Sequence, residues 1–123
     1  MMQDDDRTVG RLVAAQDARW TALEPGVEYV LLKADATGFT TLTRFAAGAT
    51  GGWHTHPGGE ELFVVSGEAK MGGHVLRAGD YVETPPDGRH RVEALAETLL
   101  FVRLPQLPIY DVVAAKVQIG DET

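Results

Sequence analysis

His54-Thr55-His56 places two imidazoles two residues apart. In an extended strand, side chains at i and i+2 point to one face, so both rings can converge on one point. Glu60 follows the Pro57-Gly58-Gly59 break, where a turn can return its carboxylate toward that point. His90 comes far along the chain, after a second break at Pro85-Pro86-Asp87-Gly88-Arg89. Two ligands from one strand and a third from a distant strand suit a metal ion held inside a barrel, because the fold and not the ion then meets the entropy cost of closing the loop. Imidazole nitrogen and carboxylate oxygen are borderline-to-hard donors, suited to Zn2+, Fe2+, Mn2+, Ni2+ or Cu2+. The chain has no cysteine, so thiolate sites, disulfide scaffolds and cysteine nucleophiles are excluded. Spacing alone leaves a second reading open, in which these histidines are exposed in a glycine-rich loop.

The elements that must hold such a set are short. Gly and Pro recur as punctuation, at Pro25-Gly26, Gly38, Gly48, Gly51-Gly52, Gly67, Gly72-Gly73, Gly79 and Pro85-Pro86, between runs rich in Val, Leu, Phe and Thr. That pattern predicts an all-β sandwich or barrel. The clearest runs are Val27 to Ala34, Phe39 to Ala46, Glu60 to Ser66, Glu68 to Met71, Asp80 to Glu83 and Glu97 to Leu104. Val9, Leu12, Val13 and Trp20 fit either one face of a short helix or an irregular edge segment. After Pro105, the apolar Ile109, Val112, Val113 and Val117 are expected to pack on the barrel or on a partner subunit. The expected organisation is an N-terminal segment over 1–26, partly disordered, a barrel with the site over 27–104, and a tail over 105–123.

At 123 residues the chain has the length of one domain. No window approaches the roughly 18 apolar residues of a membrane-spanning helix, so no membrane partner is expected. Lys and Arg total 11 against 18 Asp and Glu, for a formal charge of -7, which argues against a nucleic-acid partner. Asp4, Asp5 and Asp6 stand where a secretory signal would carry basic then apolar residues, so a cytoplasmic location and a solvated acidic tail are expected.

The segment Gly48-x5-His54-x-His56-x3-Glu60-x6-Gly67 resembles the first cupin motif at every fixed position, and Gly79-x5-Pro85-x4-His90 resembles most of the second. Asp87 stands where that second motif has a glycine, with Gly88 one place later, and Ala94 stands where it has an asparagine. The resemblance implies a single-domain cupin, a double-stranded β-helix or jelly-roll barrel, with His54, His56, Glu60 and His90 as ligands of one divalent transition metal, Fe2+ or Zn2+ first and Mn2+ or Ni2+ after them. Glu60 and Glu61 face opposite sides of a strand, but both faces are apolar, and only the motif spacing selects Glu60. Within the cupins the chain looks most like the ChrR-type branch, which includes the zinc-binding cupin of ChrR anti-sigma factors and acetylacetone-cleaving dioxygenases. Too few residues precede Val27 for the helical domain that grips a sigma factor, and some diketone-cleaving relatives lack the glutamate kept here as Glu60. The resemblance therefore implies a metal-dependent, dioxygenase-like enzyme acting on a small oxygenated molecule. Its alternatives are a non-catalytic metal-binding sensor module and a Zn2+-dependent isomerase or cyclase. Cupins of this size also resemble dimer-formers, so a homodimer is expected.

Other residues are assigned by default chemistry. His74, after Gly72-Gly73, reads as a turn histidine in water. Trp20 and Trp53 read as packing residues that a pocket could recruit. Arg44, Tyr81 and Arg103 are expected to face outward; any of them facing inward would be a candidate to hold an anionic substrate.

Overall fold

The apolar runs become strands that close around one interior. The computed structural model describes residues 10–111. Within them the elements are a 3-10 turn at Ala15–Asp17 and twelve strands. These are β1 Thr21–Glu24, β2 Val27–Asp35, β3 Gly38–Phe45, β4 His54–His56, β5 Glu60–Ser66 and β6 Glu68–Met71. They continue with β7 His74–Arg77, β8 Tyr81–Thr84, β9 Gly88–His90, β10 Val92–Ala94, β11 Thr98–Leu104 and β12 Ile109–Tyr110. The fold is all-β, as the sequence predicts. No described helix is long and apolar enough to cross a membrane.

A six-stranded antiparallel sheet, ordered β1-β2-β3-β11-β5-β8, forms one wall. The opposite wall is built from two three-stranded sheets, β10-β6-β7 and β12-β4-β9. Backbone bonds from Gly48 N–H to Ala94 O, Ala94 N–H to Ala49 O and Gly51 N–H to Val92 O tie the connection that leads into β4 to strand β10. Side chains of both walls interlock in one core: Val27, Phe45, Leu62, Val64, Leu100 and Val102 from the large sheet, Ala69, Met71, Leu76 and Val92 from the other. Burial of this apolar surface is the main force holding the walls together.

Along β5, burial alternates: Glu60, Leu62 and Val64 face in, while Glu61, Phe63 and Val65 face out. The parity that composition leaves open is thus settled by the core. The barrel also takes in residues on either side of 27–104. β1 pairs with β2, and β12 pairs with β4 through Ile109–Thr55 and Tyr110–His54. No helical face forms around Leu12 and Val13, which are exposed before the short 3-10 turn. Val9, Asp4–Asp6, Val112, Val113 and Val117 lie outside the described residues.

Candidate metal centre

Register brings the histidines together. β4 and β9 pair antiparallel with His54 opposite His90 and His56 opposite Gly88. Cross-strand partners share a face, so all three imidazoles project inward from the small sheet. Their ring centroids are separated by 4.7 to 4.8 Å. One ligand atom from each ring lies within 4.8 Å of the others, and all three residues are buried. Glu60 reaches the same point from the large sheet. Its Oε2 is 3.4 Å from His56 Nε2 and its Oε1 is 3.4 Å from His90 Nε2.

The turn before β9 sets His90. Asp87 has φ 67, the one positive φ at a non-glycine among the described residues, at the position where the motif carries glycine. Asp tolerates this left-handed backbone better than most residues. The Asp87 N–H donates to His56 O at 2.7 Å, tying the turn to the end of β4. At Gly88 a Cβ would lie 2.4 Å from Thr84 Cγ2. That close approach keeps Thr84, which pairs with Glu60 across β5 and β8, 3.4 Å from His90 Nδ1. Ala94, at the place of the motif's asparagine, is buried and pairs with Ala69 on β6.

The other two Nδ1 atoms differ. His54 Nδ1 lies 2.8 Å from Gly52 O; a carbonyl only accepts, so this nitrogen carries the hydrogen and Nε2 keeps the lone pair. His56 Nδ1 is buried without a partner. His56 Nε2 and His90 Nε2 sit 3.0 Å apart, so one donates to the other when both rings are neutral. Burial, with the neighbouring imidazoles adding to it, lowers His56 and His90 to about 4. Burial raises Glu60 to about 7. Glu60 Oε1 is buried with no hydrogen bond. Three buried imidazoles with ligand atoms within 4.8 Å of one another could hold a metal ion, and the Glu60 carboxylate faces the same point. They fit a divalent first-row ion, with no thiolate to bias the choice.

The set opens onto a cavity of about 270 Å3. Its walls are mainly apolar, with Val27, Phe39, Phe45, Leu62, Leu100 and Val102 among them. The polar groups are few: Glu24, Tyr29, Thr41, Thr43 and Tyr110 join the histidines and Glu60. No lysine or arginine of the described residues lines it. Arg44 pairs with Glu28 at 2.9 Å and stacks over Trp20, Arg103 bonds Thr37, and the Tyr81 hydroxyl donates to Glu61. All three face outward as expected. Trp53 packs under Arg89 and Arg91 outside the cavity, and His74 is exposed at the start of β7.

Sequence reasoning did not single out Glu24, Thr84 or Tyr110. Tyr110 belongs to a two-residue strand and stacks on His54 with centroids 4.8 Å apart. Burial, then the Glu24 and Glu60 charges, push it up to about 12. Its signal was the aromatic-aliphatic pair Ile109-Tyr110 in an extended tail; Glu24 and Thr84 had none, because their importance comes from register.

The family described as the ChrR Cupin-like domain matches residues 8–108. Among solved structures, an RmlC-like cupin of Ralstonia eutropha JMP134 superposes with a TM-score of 0.74 at 21% identity, covering 86% of this chain and 74% of that one. An acetylacetone dioxygenase of Acinetobacter johnsonii gives 0.76 at 17% identity, covering 89% and 83%. The Rhodobacter sphaeroides SigE complex with the anti-sigma ChrR gives 0.67 at 22%, covering 74% of this chain and 50% of that one. At these identities the structures show the shared cupin fold and no more. No curated protein matches. The matched span takes in every strand but the last, and on it the chain belongs to the ChrR Cupin-like domain family.

Proposed function

We propose that this chain is a metal-dependent, dioxygenase-like cupin that acts on a small, uncharged oxygenated molecule, with His54, His56, Glu60 and His90 holding one divalent ion, Fe2+ or Zn2+. The observation that carries the reading is the placement of the donor set. It faces an apolar cavity of about 270 Å3, where a purely structural ion would be enclosed by protein.

A divalent ion at this site would supply Lewis acidity and, as iron, a means of using dioxygen. The protein supplies the rest. Val27, Phe45, Leu62 and Leu100 exclude water and hold an apolar substrate body. Beside Glu24 and Glu60 no lysine or arginine of the described residues lines the cavity, so an anionic substrate would find no side-chain cation there. Tyr110, held protonated by its surroundings, keeps a hydroxyl donor beside His54 for a substrate oxygen.

The test is anaerobic loading with Fe2+, followed by oxygen-electrode measurements with neutral diketones and hydroxylated aromatics. Substrate-dependent uptake is expected; turnover without O2 under Zn2+ would favour an isomerase or cyclase. The family match to the ChrR domain favours one other reading, a regulatory metal-binding module. Metal binding without turnover of any of these substrates would select it. A homodimer in the cytoplasm completes the proposal, supported by the exposed Phe63 and Phe101 on the outer face of the large sheet, and sedimentation velocity tests the dimer.

A further inference from the structure

Glu24 closes β1 and reaches the loop that leads into β4. Its Oε1 accepts the Gly52 N–H at 2.8 Å. The carbonyl of the same residue accepts the His54 Nδ1–H, also at 2.8 Å. Gly52 thus has one flanking peptide tied to a carboxylate and the other to a site imidazole. Nothing else in its own covalent structure fixes the angle between them, since glycine has the widest φ/ψ freedom of any residue. The backbone groups of its neighbours bond other backbone groups, Gly51 N–H on Val92 O and Trp53 O on the Asp111 N–H. Among the described residues Glu24 is the one side chain that bonds the Gly52 N–H. The three imidazoles are not equivalent in this respect: His56 Nδ1 has no partner and His90 Nδ1 has only the 3.4 Å Thr84 contact. His54 depends on the Gly52 carbonyl, and Glu24 anchors that residue from its N–H side.

From this linkage we infer that Glu24 is a positioning residue: through Gly52 it holds His54 in the tautomer whose Nε2 lone pair faces the site. The inference deepens the metal-binding reading and rests on it for its purpose, but its first readout needs no metal. A strand outside the segment that carries the motifs therefore sets the chemistry of a motif residue. The carboxylate is used as a hydrogen-bond acceptor, so an amide oxygen in the same place serves equally well.

The experiment uses the full chain, metal-free, with 15N spectra of the imidazoles in wild type and in Glu24→Ala, Glu24→Gln and Glu24→Asp. Wild type and Glu24→Gln are expected to show His54 as a single Nδ1–H tautomer. Glu24→Ala and Glu24→Asp, the latter keeping the charge but falling short of Gly52, are expected to show a mixture. Titration with Zn2+ alone should then give affinities about 10- to 100-fold weaker for Ala and Asp, with Gln within about threefold of wild type. An unchanged His54 tautomer in both Ala and Asp variants overturns the inference, as does a Gln variant that behaves like Ala. Should Glu24→Ala not fold, the Gln and Asp pair decides alone. Failure of wild type to bind Zn2+ or Fe2+ would instead overturn the metal reading, with the tautomer result standing.

Discussion

Three imidazoles within 4.8 Å cannot all be protonated in a buried site, and a carboxylate among them cannot be both ionised and unpaired without cost. The shifts express that conflict: His56 and His90 are driven down to about 4 and Glu60 up to about 7. Removing one donor therefore removes affinity without relieving the rest. His90→Ala is expected to abolish stoichiometric binding of Zn2+ in equilibrium dialysis, while His74→Ala, exposed on β7, leaves it within about twofold. Equal loss in both would refute the ligand assignment. These residues were legible in the sequence because motif spacing fixes them. Glu60 against Glu61 was not legible from pattern, since the large sheet leaves Phe63 and Val65 exposed and so blurs the inside-outside alternation on β5.

Short elements position these donors, and they were the hardest to read. β4, β9 and β10 are three residues each and β12 is two, too short for alternation to register. Their places come from pairing: His54 meets His90 because β4 and β9 share a register that the Pro85–Gly88 turn sets. That turn makes two opposite predictions. Asp87 holds φ 67 in a region that costs non-glycine residues about 1–3 kcal/mol, so Asp87→Gly is expected to gain about 0.5–1 kcal/mol after glycine's larger unfolded-state entropy is deducted. Gly88→Ala must push its Cβ into Thr84 Cγ2 and is expected to lose about 1–3 kcal/mol. Urea midpoints at constant m-value measure both. A stabilising Gly88→Ala would mean that Thr84 moves freely and does not hold His90. Because Thr84 reports on His90, the Ala variant should also weaken metal binding, which Asp87→Gly should not.

At the scale of the molecule the site is a clasp between two walls, since His54, His56 and His90 come from the small sheet and Glu60 from the large one. The walls enclose a cavity of about 270 Å3, space that a filled core would have used for packing. A cation held from both sides should then act as a staple, adding about 4 kcal/mol at a metal concentration a thousand times Kd. The pH dependence follows from the shifts. Glu60, raised from 4.5 to about 7, favours the metal-free fold below pH 4.5 and loses that support as pH rises through 7. His56 and His90, lowered from 6.5 to about 4, support it above pH 6.5 and withdraw that support as pH falls toward 4. A metal needs the carboxylate ionised and the imidazoles neutral, the state that becomes complete only above pH 7. The difference in melting temperature between Zn2+-loaded and metal-free protein is therefore expected to be near zero at pH 4, to grow between pH 5 and 7, and to level off above. Glu60→Gln should remove the loss between pH 4.5 and about 7 from the metal-free curve while shrinking the gain from Zn2+. A gain that is flat from pH 4 to 8 would show that the ion is held elsewhere, by groups that do not titrate in this range.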